Sequence, residues 1–458
     1  MSWLQLLKPP VPKPKITDPK SIDNEYRYWR IRILYSMYFG YAFFYFTRKS
    51  FTFVAPLLIT QLHVSKTEIG LIASAFYIAY GFSKFLSGVI SDRANARYFM
   101  SFGLIATGIA NIFFGMTSNI HYFLILWVFN GVFQGWGWPP CAKLLTHWYS
   151  QRERGRWWGG WNTCHNVGGA LIPILAGVSA EFWGWQAAMI IPGILGIVMG
   201  AILINRLRDT PETLGLPAIE DYKQDHPAGS QEPTSQLPSL KEILTKYVFN
   251  NRYLWILALS YVMVYIIRTA INDWGAVYLH EHGYSITRAD SCLSFFEIGG
   301  FLGSLAAGWL SDTSFLGRRG QTNTLFCVGT IVAILALWKL PGNYYFIHAA
   351  TFFGIGFFIF GPQMLIGVAA AELSHKKAAG ASTGFIGLWG YLGAALSGYP
   401  LGYIVTRWHW YGFYITLMVC AILSVLLLAT LWSAGSYRAT QDKSSASRST
   451  FNELADEM

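Results

Sequence analysis

The sequence predicts an all-α polytopic membrane protein, with twelve transmembrane helices in two pseudo-symmetric six-helix halves. Of 458 residues, 53% are hydrophobic and only 13% charged, and the mean hydropathy is positive. That balance belongs in a bilayer rather than in water. Twelve apolar segments are long enough to cross about 30 Å of hydrocarbon as helices. They lie near 33–58, 66–91, 98–117, 121–147, 157–180, 185–205, 252–279, 289–311, 322–339, 343–369, 378–404 and 409–434. The second half also repeats the first at a step of 220 residues, which takes Tyr45 to Tyr265, Arg48 to Arg268, Gly88 to Gly308, Ser91 to Ser311 and Asp92 to Asp312. Helices are the predicted element because backbone in lipid must satisfy its own hydrogen bonds, and the alternating runs of about ten residues that a barrel needs are absent.

In chain order, residues 1–32 read as a basic cytoplasmic segment without a cleavable signal, and 33–205 as the first six-helix half. Residues 206–251 are rich in Pro, Asp, Glu, Lys, Gln and Ser and form a cytoplasmic linker, with Pro211, Pro217, Pro227, Pro233 and Pro238 breaking any long helix. The second half is 252–434, and 435–458 is a polar, Ser-rich cytoplasmic tail. Lys and Arg concentrate on the loops that would share one side with both termini, so the formal charge of +10 reads as a topology signal rather than a nucleic-acid surface. Cys141, Cys164, Cys292, Cys327 and Cys420 stand apart in apolar segments, without metal or redox spacing. No metal or cofactor is expected.

The candidate site starts from Arg48 and Arg268. An arginine inside a membrane helix costs about 2.5–3.5 kcal/mol on insertion scales, so a matched pair asks for a function. On each helix a tyrosine three residues earlier, Tyr45 or Tyr265, shares the arginine's face. A guanidinium is a planar fork for two oxygens, and two forks, one per half, suit a phosphate. The competing reading is a structural pair with a buried acid, for which Glu297 and Asp273 are available. Lys49 points about 100° from Arg48 and serves either as a secondary contact or as a snorkel. Lys84 reaches the cavity or a helix end.

Asn162, His165, Asn166 and Gly169 form one polar stripe on the fifth span, and His165 is expected to follow the charge state of a bound phosphate. Gln134 and Trp138 share a face of the fourth span, ahead of Pro139-Pro140, which must bend the helix. This face reads as gating or packing or, for Trp138, as a ring under a sugar; Tyr391 is a contact from the second half and Glu297 an acceptor of sugar hydroxyls, each with plain packing as the alternative. The loop Gly88-Val-Ile-Ser-Asp92-Arg93, with Arg97 nearby and its echo at Gly308-Trp-Leu-Ser-Asp312, reads as a latch between neighbouring helices.

The paired halves and this loop resemble the major facilitator superfamily. The Arg48-Lys49 pair after Tyr45, the string from Arg154 to Gly169, Gly361-Pro-Gln-Met-Leu-Ile-Gly367 and Ala378-Ala-Gly380 resemble the organophosphate:phosphate antiporter family, more its hexose-phosphate members than its glycerol-3-phosphate ones. The resemblance implies that Arg48 and Arg268 bind phosphate, that His165 assists, and that Lys84, Tyr45 and Tyr265 line the path. It departs at Thr383 and Ile386, where the bacterial sugar-phosphate uptake transporter has an acid and a lysine.

The expected function is therefore a secondary transporter of the bacterial inner membrane, not an enzyme, exchanging a sugar phosphate, glucose 6-phosphate foremost, for inorganic phosphate. It is expected to act as a monomer, with the bilayer and these two solutes as partners. A sugar-phosphate sensor signalling to a kinase and a proton-coupled carrier of another organic anion are the alternatives. Gly380-Ala-Ser382-Thr-Gly384 fits a nucleophile elbow only in letters, since it falls in a membrane helix, and there is no Gly-x-x-x-x-Gly-Lys-[Ser/Thr] loop for ATP.

Overall fold

A chain this apolar closes its backbone hydrogen bonds within helices, and among the described residues there is no strand. The structure, a computed structural model, describes residues 7–8, 11–92, 94–225, 243–315, 318–339, 344–374 and 378–433. The first half contains α1 (Pro19–Gln61), α2 (Lys66–Asp92), α3 (Ala96–Gly115), α4 (Ile120–Gln134), α5 (Trp138–Trp148), α6 (Gln151–Asn162) and α7 (Cys164–Arg206). The second contains α8 (Arg252–Glu281), α9 (Ile286–Thr313), α10 (Arg319–Lys339), α11 (Tyr345–Glu372), α12 (Ala379–Leu396) and α13 (Tyr399–Ala429).

Eight helical stretches among the described residues are long and apolar enough to cross a membrane, and two of them, Glu153–Arg206 of 54 residues and Ala381–Ala429 of 49, suffice for two crossings each. The first of these turns back at Gly184 (φ 82°, ψ 168°), a conformation open essentially to glycine, and the second at His409 (φ 53°). With α1, and with the broken pair α4 and α5, the crossings come to twelve. The fourth span breaks at Gly135-Trp136-Gly137, because Pro139 and Pro140 occupy the start of α5, where a missing N–H is harmless.

Polar caps set where helices begin. Ser65 and Glu68 exchange backbone and side-chain bonds at the start of α2 (2.8 and 3.2 Å), and Ser285 caps α9 by accepting from the Arg288 N–H at 3.4 Å. Ser65 and Ser285 stand at the same step of 220 as the arginines. Part of the expected linker folds onto the first half: Asp209 accepts from Lys143 Nζ at 2.9 Å and from the Ala96 N–H at 2.8 Å, and Tyr222 stacks on Tyr26 with centroids 4.1 Å apart.

The halves meet through α2 against α12 and α13, α7 against α9, and α1 against α8. Among the described residues, the hydrogen bonds and ion pairs that cross between them fall at the mid-depth of the bundle or toward the side opposite the linker. Near that far end Lys66 Nζ pairs with Glu281 at 2.8 Å, Thr67 meets Thr406 at 3.1 Å, and the Tyr399 N–H donates to Ser74 Oγ at 2.7 Å. The halves are thus joined on the far side by this set of bonds.

Candidate functional site

A cavity of about 120 Å³ lies between the halves. Tyr41, Tyr45, Arg48 and Lys49 line it from α1, Tyr77, Tyr80 and Lys84 from α2, Trp138 from α5 and His165 from α7. The second half contributes Tyr265, Arg268, Thr269 and Asn272 from α8, Gln363 from α11, and Tyr391 and Ala394 from α12. Spacings of three and four residues put each of these sets on one helical face. The lining holds four basic side chains and no carboxylate.

Arg48 is held from behind, its Nε donating to Gln134 Oε1 at 3.2 Å, while its guanidinium lies 4.6 Å from the centroid of Tyr45 and 4.7 Å from that of Tyr80. Arg268 lies 4.6 Å from the ring of Phe360 and 5.9 Å from that of Tyr265. Ring faces attract a cation by about 0.5–2 kcal/mol but accept no proper hydrogen bond. Arg48 Nη2 and Arg268 Nε are buried and have no hydrogen-bond partner in the protein. Free charged donors, converging without an acid, suit an anion rich in acceptor oxygens.

The two acids nearest these arginines make their hydrogen bonds with other partners. Asp273 accepts from Lys49 Nζ at 3.1 Å, from the Tyr77 hydroxyl at 2.6 Å and from Thr52 at 3.3 Å, which ties the halves together just beyond the cavity. Lys49 Nζ also donates to Asn272 Oδ1 at 2.7 Å, so Lys49 borders the cavity with its charge directed away. Glu297 is buried behind Asn272, whose amide donates to it at 3.0 Å. Lys84 turns into the cavity, its Nζ 3.0 Å from the Tyr391 hydroxyl and 5.2 Å from the centroid of Trp138.

Four residues expected at the substrate lie outside the lining. Gln134 is fully buried behind Arg48 and orients it. Glu297 packs against Gly169, and the Asn166 amide faces the Glu297 carbonyl oxygen at 3.4 Å, so both serve the contact between α7 and α9. Asn162 ends α6 with its side chain exposed, so the expected continuous stripe is split there. His165 alone of that stripe reaches the cavity, flanked by the rings of Tyr41 and Tyr45 at 5.0 and 5.7 Å, with Nδ1 2.7 Å from the Asn162 carbonyl oxygen.

Sequence reasoning missed Tyr41, Tyr77, Tyr80, Thr269, Asn272 and Gln363. Five of them were within reach of helical spacing, since Tyr41 leads Tyr45 by four, Tyr77 and Tyr80 precede Lys84 by seven and four, Thr269 follows Tyr265 by four and Asn272 follows Arg268 by four. Gln363 had no periodic signal, standing alone as a polar side chain in the apolar run between Thr351 and Glu372.

In the loop reading, Arg93 and the side chain of Asp92 lie outside the described residues. Arg97 donates through Nε to the Ile204 carbonyl at the end of α7, and its guanidinium lies over Tyr98. In the second half, Asp312 accepts from Arg319 Nη1 at 2.5 Å, and Arg319 forks onto both oxygens of Glu372 at 3.1 and 3.0 Å, joining the ends of α9, α10 and α11. Arg319 and Glu372 were missed because neither repeats at the step of 220.

Residues 37–398 match the family model described as Major Facilitator Superfamily. The chain is 53% identical to a "Probable hexose phosphate transport protein" of Chlamydia trachomatis, covering 94% of this chain and 97% of that one. It is 52% identical to the "Membrane sensor protein UhpC" of Escherichia coli, over 94% and 98%. Among solved structures it is similar to a bacterial homologue of the human lysosomal transporter Spinster, with a TM-score of 0.71 at 15% identity over 88% of this chain and 96% of that one, which shows the shared fold. The repeat, the twelve crossings and these matches agree: the chain belongs to the major facilitator superfamily and, within it, to the organophosphate:phosphate antiporter family.

Proposed function

We propose that the protein is a secondary transporter that exchanges a sugar phosphate, glucose 6-phosphate foremost, for inorganic phosphate by alternating access. The observation that carries this reading is the pair of unpartnered guanidinium donors, Arg48 Nη2 and Arg268 Nε, in a cavity without a carboxylate. One arginine comes from each half. A bound phosphate neutralises both and draws the halves together, whereas an empty site leaves like charges facing one another at low dielectric. Either phosphate compound then lowers the barrier to switching, and the unloaded carrier switches slowly. Lys49 and Asp273 add a bond between the halves that has to part when the far side opens.

The orientation that goes with this places both termini in the cytoplasm of a bacterial inner membrane, with one chain sufficient for the cycle. The test is exchange in phosphate-loaded vesicles: labelled glucose 6-phosphate should enter only when phosphate is inside. Binding without exchange sinks the transport reading in favour of a sensor that reports to a kinase. That second reading is favoured by the 52% identity to a membrane sensor, close to the 53% to the transport protein.

A further inference from the structure

Three residues that line the cavity carry a buried polar atom without a partner in the protein: Arg48 Nη2, Arg268 Nε and Gln363 Oε1. Two are donors and one is an acceptor. The phosphate group of an ionised phosphomonoester offers acceptors only, so it can satisfy the arginines and cannot satisfy a carboxamide oxygen. The neighbouring cations are committed as well, Lys84 to the Tyr391 hydroxyl at 3.0 Å and Lys49 to Asn272 and Asp273 at 2.7 and 3.1 Å. Gln363 follows Phe360 by three residues on α11, and the ring of Phe360 lies under Arg268. The step is about 4.5 Å along the helix axis, which sets the acceptor to one side of the paired arginines.

We propose that Gln363 reads the sugar: its carboxamide oxygen accepts a hydrogen bond from a sugar hydroxyl, and it, rather than the arginines, separates a sugar phosphate from inorganic phosphate. This rests on the sugar-phosphate reading above. A ligand that fills all three positions carries an anionic group and a hydroxyl a few ångströms away. Leaving the acceptor buried and unpaired penalises any ligand lacking that hydroxyl.

The test is equilibrium binding of glucose 6-phosphate and of inorganic phosphate to the purified full chain, comparing wild type with Gln363→Leu and Gln363→Met. Both variants should weaken glucose 6-phosphate by about tenfold, the worth of one hydrogen bond, and leave inorganic phosphate within about twofold. Monodeoxy analogues of glucose 6-phosphate sharpen it: one deoxy position should lose about tenfold on wild type and nothing further on Gln363→Leu. Hydrogen phosphate has a hydroxyl of its own, so equal weakening of both ligands in both variants assigns Gln363 to the phosphate and overturns the proposal. An unchanged deoxy pattern between wild type and variant overturns it too. Wild type that binds but fails to exchange in vesicles removes the transport reading and leaves the binding result on Gln363 standing.

Discussion

Gln134 has a task that its place behind the cavity conceals. Its amide nitrogen lies 3.0–3.2 Å from three acceptors, the Phe44 carbonyl, Thr47 Oγ1 and Asn130 Oδ1, and this leaves Oε1 aimed at Arg48 Nε. Gln134→Leu removes that hold and should weaken phosphate binding by about 1 kcal/mol, roughly fivefold. Gln134→Glu should weaken it more, because a carboxylate would satisfy Arg48 in place of the ligand; titration calorimetry with inorganic phosphate gives the order. Arg48→Lys and Arg268→Lys should each nearly abolish vesicle exchange, since a point charge does not reproduce a fork. Asp273→Asn strands the Lys49 charge in the bundle and should lower stability by about 3–5 kcal/mol, with Lys49→Met in the same chain restoring much of it in thermal unfolding. The arginines were legible in the sequence because a charge inside an apolar run is conspicuous and its copy doubles the signal. Gln134, Glu297 and Asn166 were assigned to the substrate because a sequence shows which helix face a side chain shares but not which neighbour that face meets.

The breaks between helices do as much as the helices. Gly184 holds φ 82° and ψ 168° at the turn between the fifth and sixth spans, so Gly184→Ala should cost about 1–3 kcal/mol, measured as a fall in the unfolding midpoint. Gly398 sits where a Cβ would meet the Gly70 carbonyl oxygen at 2.6 Å, so the two halves touch there backbone to backbone. Gly398→Val should keep the far side from sealing. Thiol labelling of Thr67→Cys by a membrane-impermeant reagent should rise, and exchange should fall; unchanged labelling would show that the seal does not depend on this contact. Segment positions were legible throughout, because about twenty apolar residues announce a crossing. The ends were less so: α1 begins at Pro19 on the cap of Asp18, well before its apolar run, and the packing of 207–225 on the first half depends on tertiary partners such as Tyr26 and Lys143.

The whole molecule is two copies that kept the paired arginines and diverged around them. The step of 220 retains Tyr45, Arg48, their counterparts and the serine caps, yet gives Gln134, His165, Gln363 and Tyr391 no counterpart of the same type. On the proposed function, symmetry is kept where both halves would bind the same group and lost where the ligand itself is lopsided. With the proposed clamp, in which the ligand bridges the halves, inorganic phosphate at a hundred times its dissociation constant should stabilise the protein by about 2.7 kcal/mol. An unfolding midpoint indifferent to phosphate would contradict a clamp made by both halves. At the far mouth, the Lys66 and Glu281 side chains retain 17% and 37% of their exposure, and Trp410 covers the pair, its indole donating to Glu281 at 2.9 Å. An ion pair in contact with solution is screened over about 8 Å at physiological ionic strength, while the Lys49–Asp273 pair deeper in is shielded from it. Salt added to the far compartment alone therefore loosens the outermost bond of the closed mouth and leaves the inner one intact. In the proposed exchange cycle, the preference for facing one compartment should then follow the ionic strength in the other.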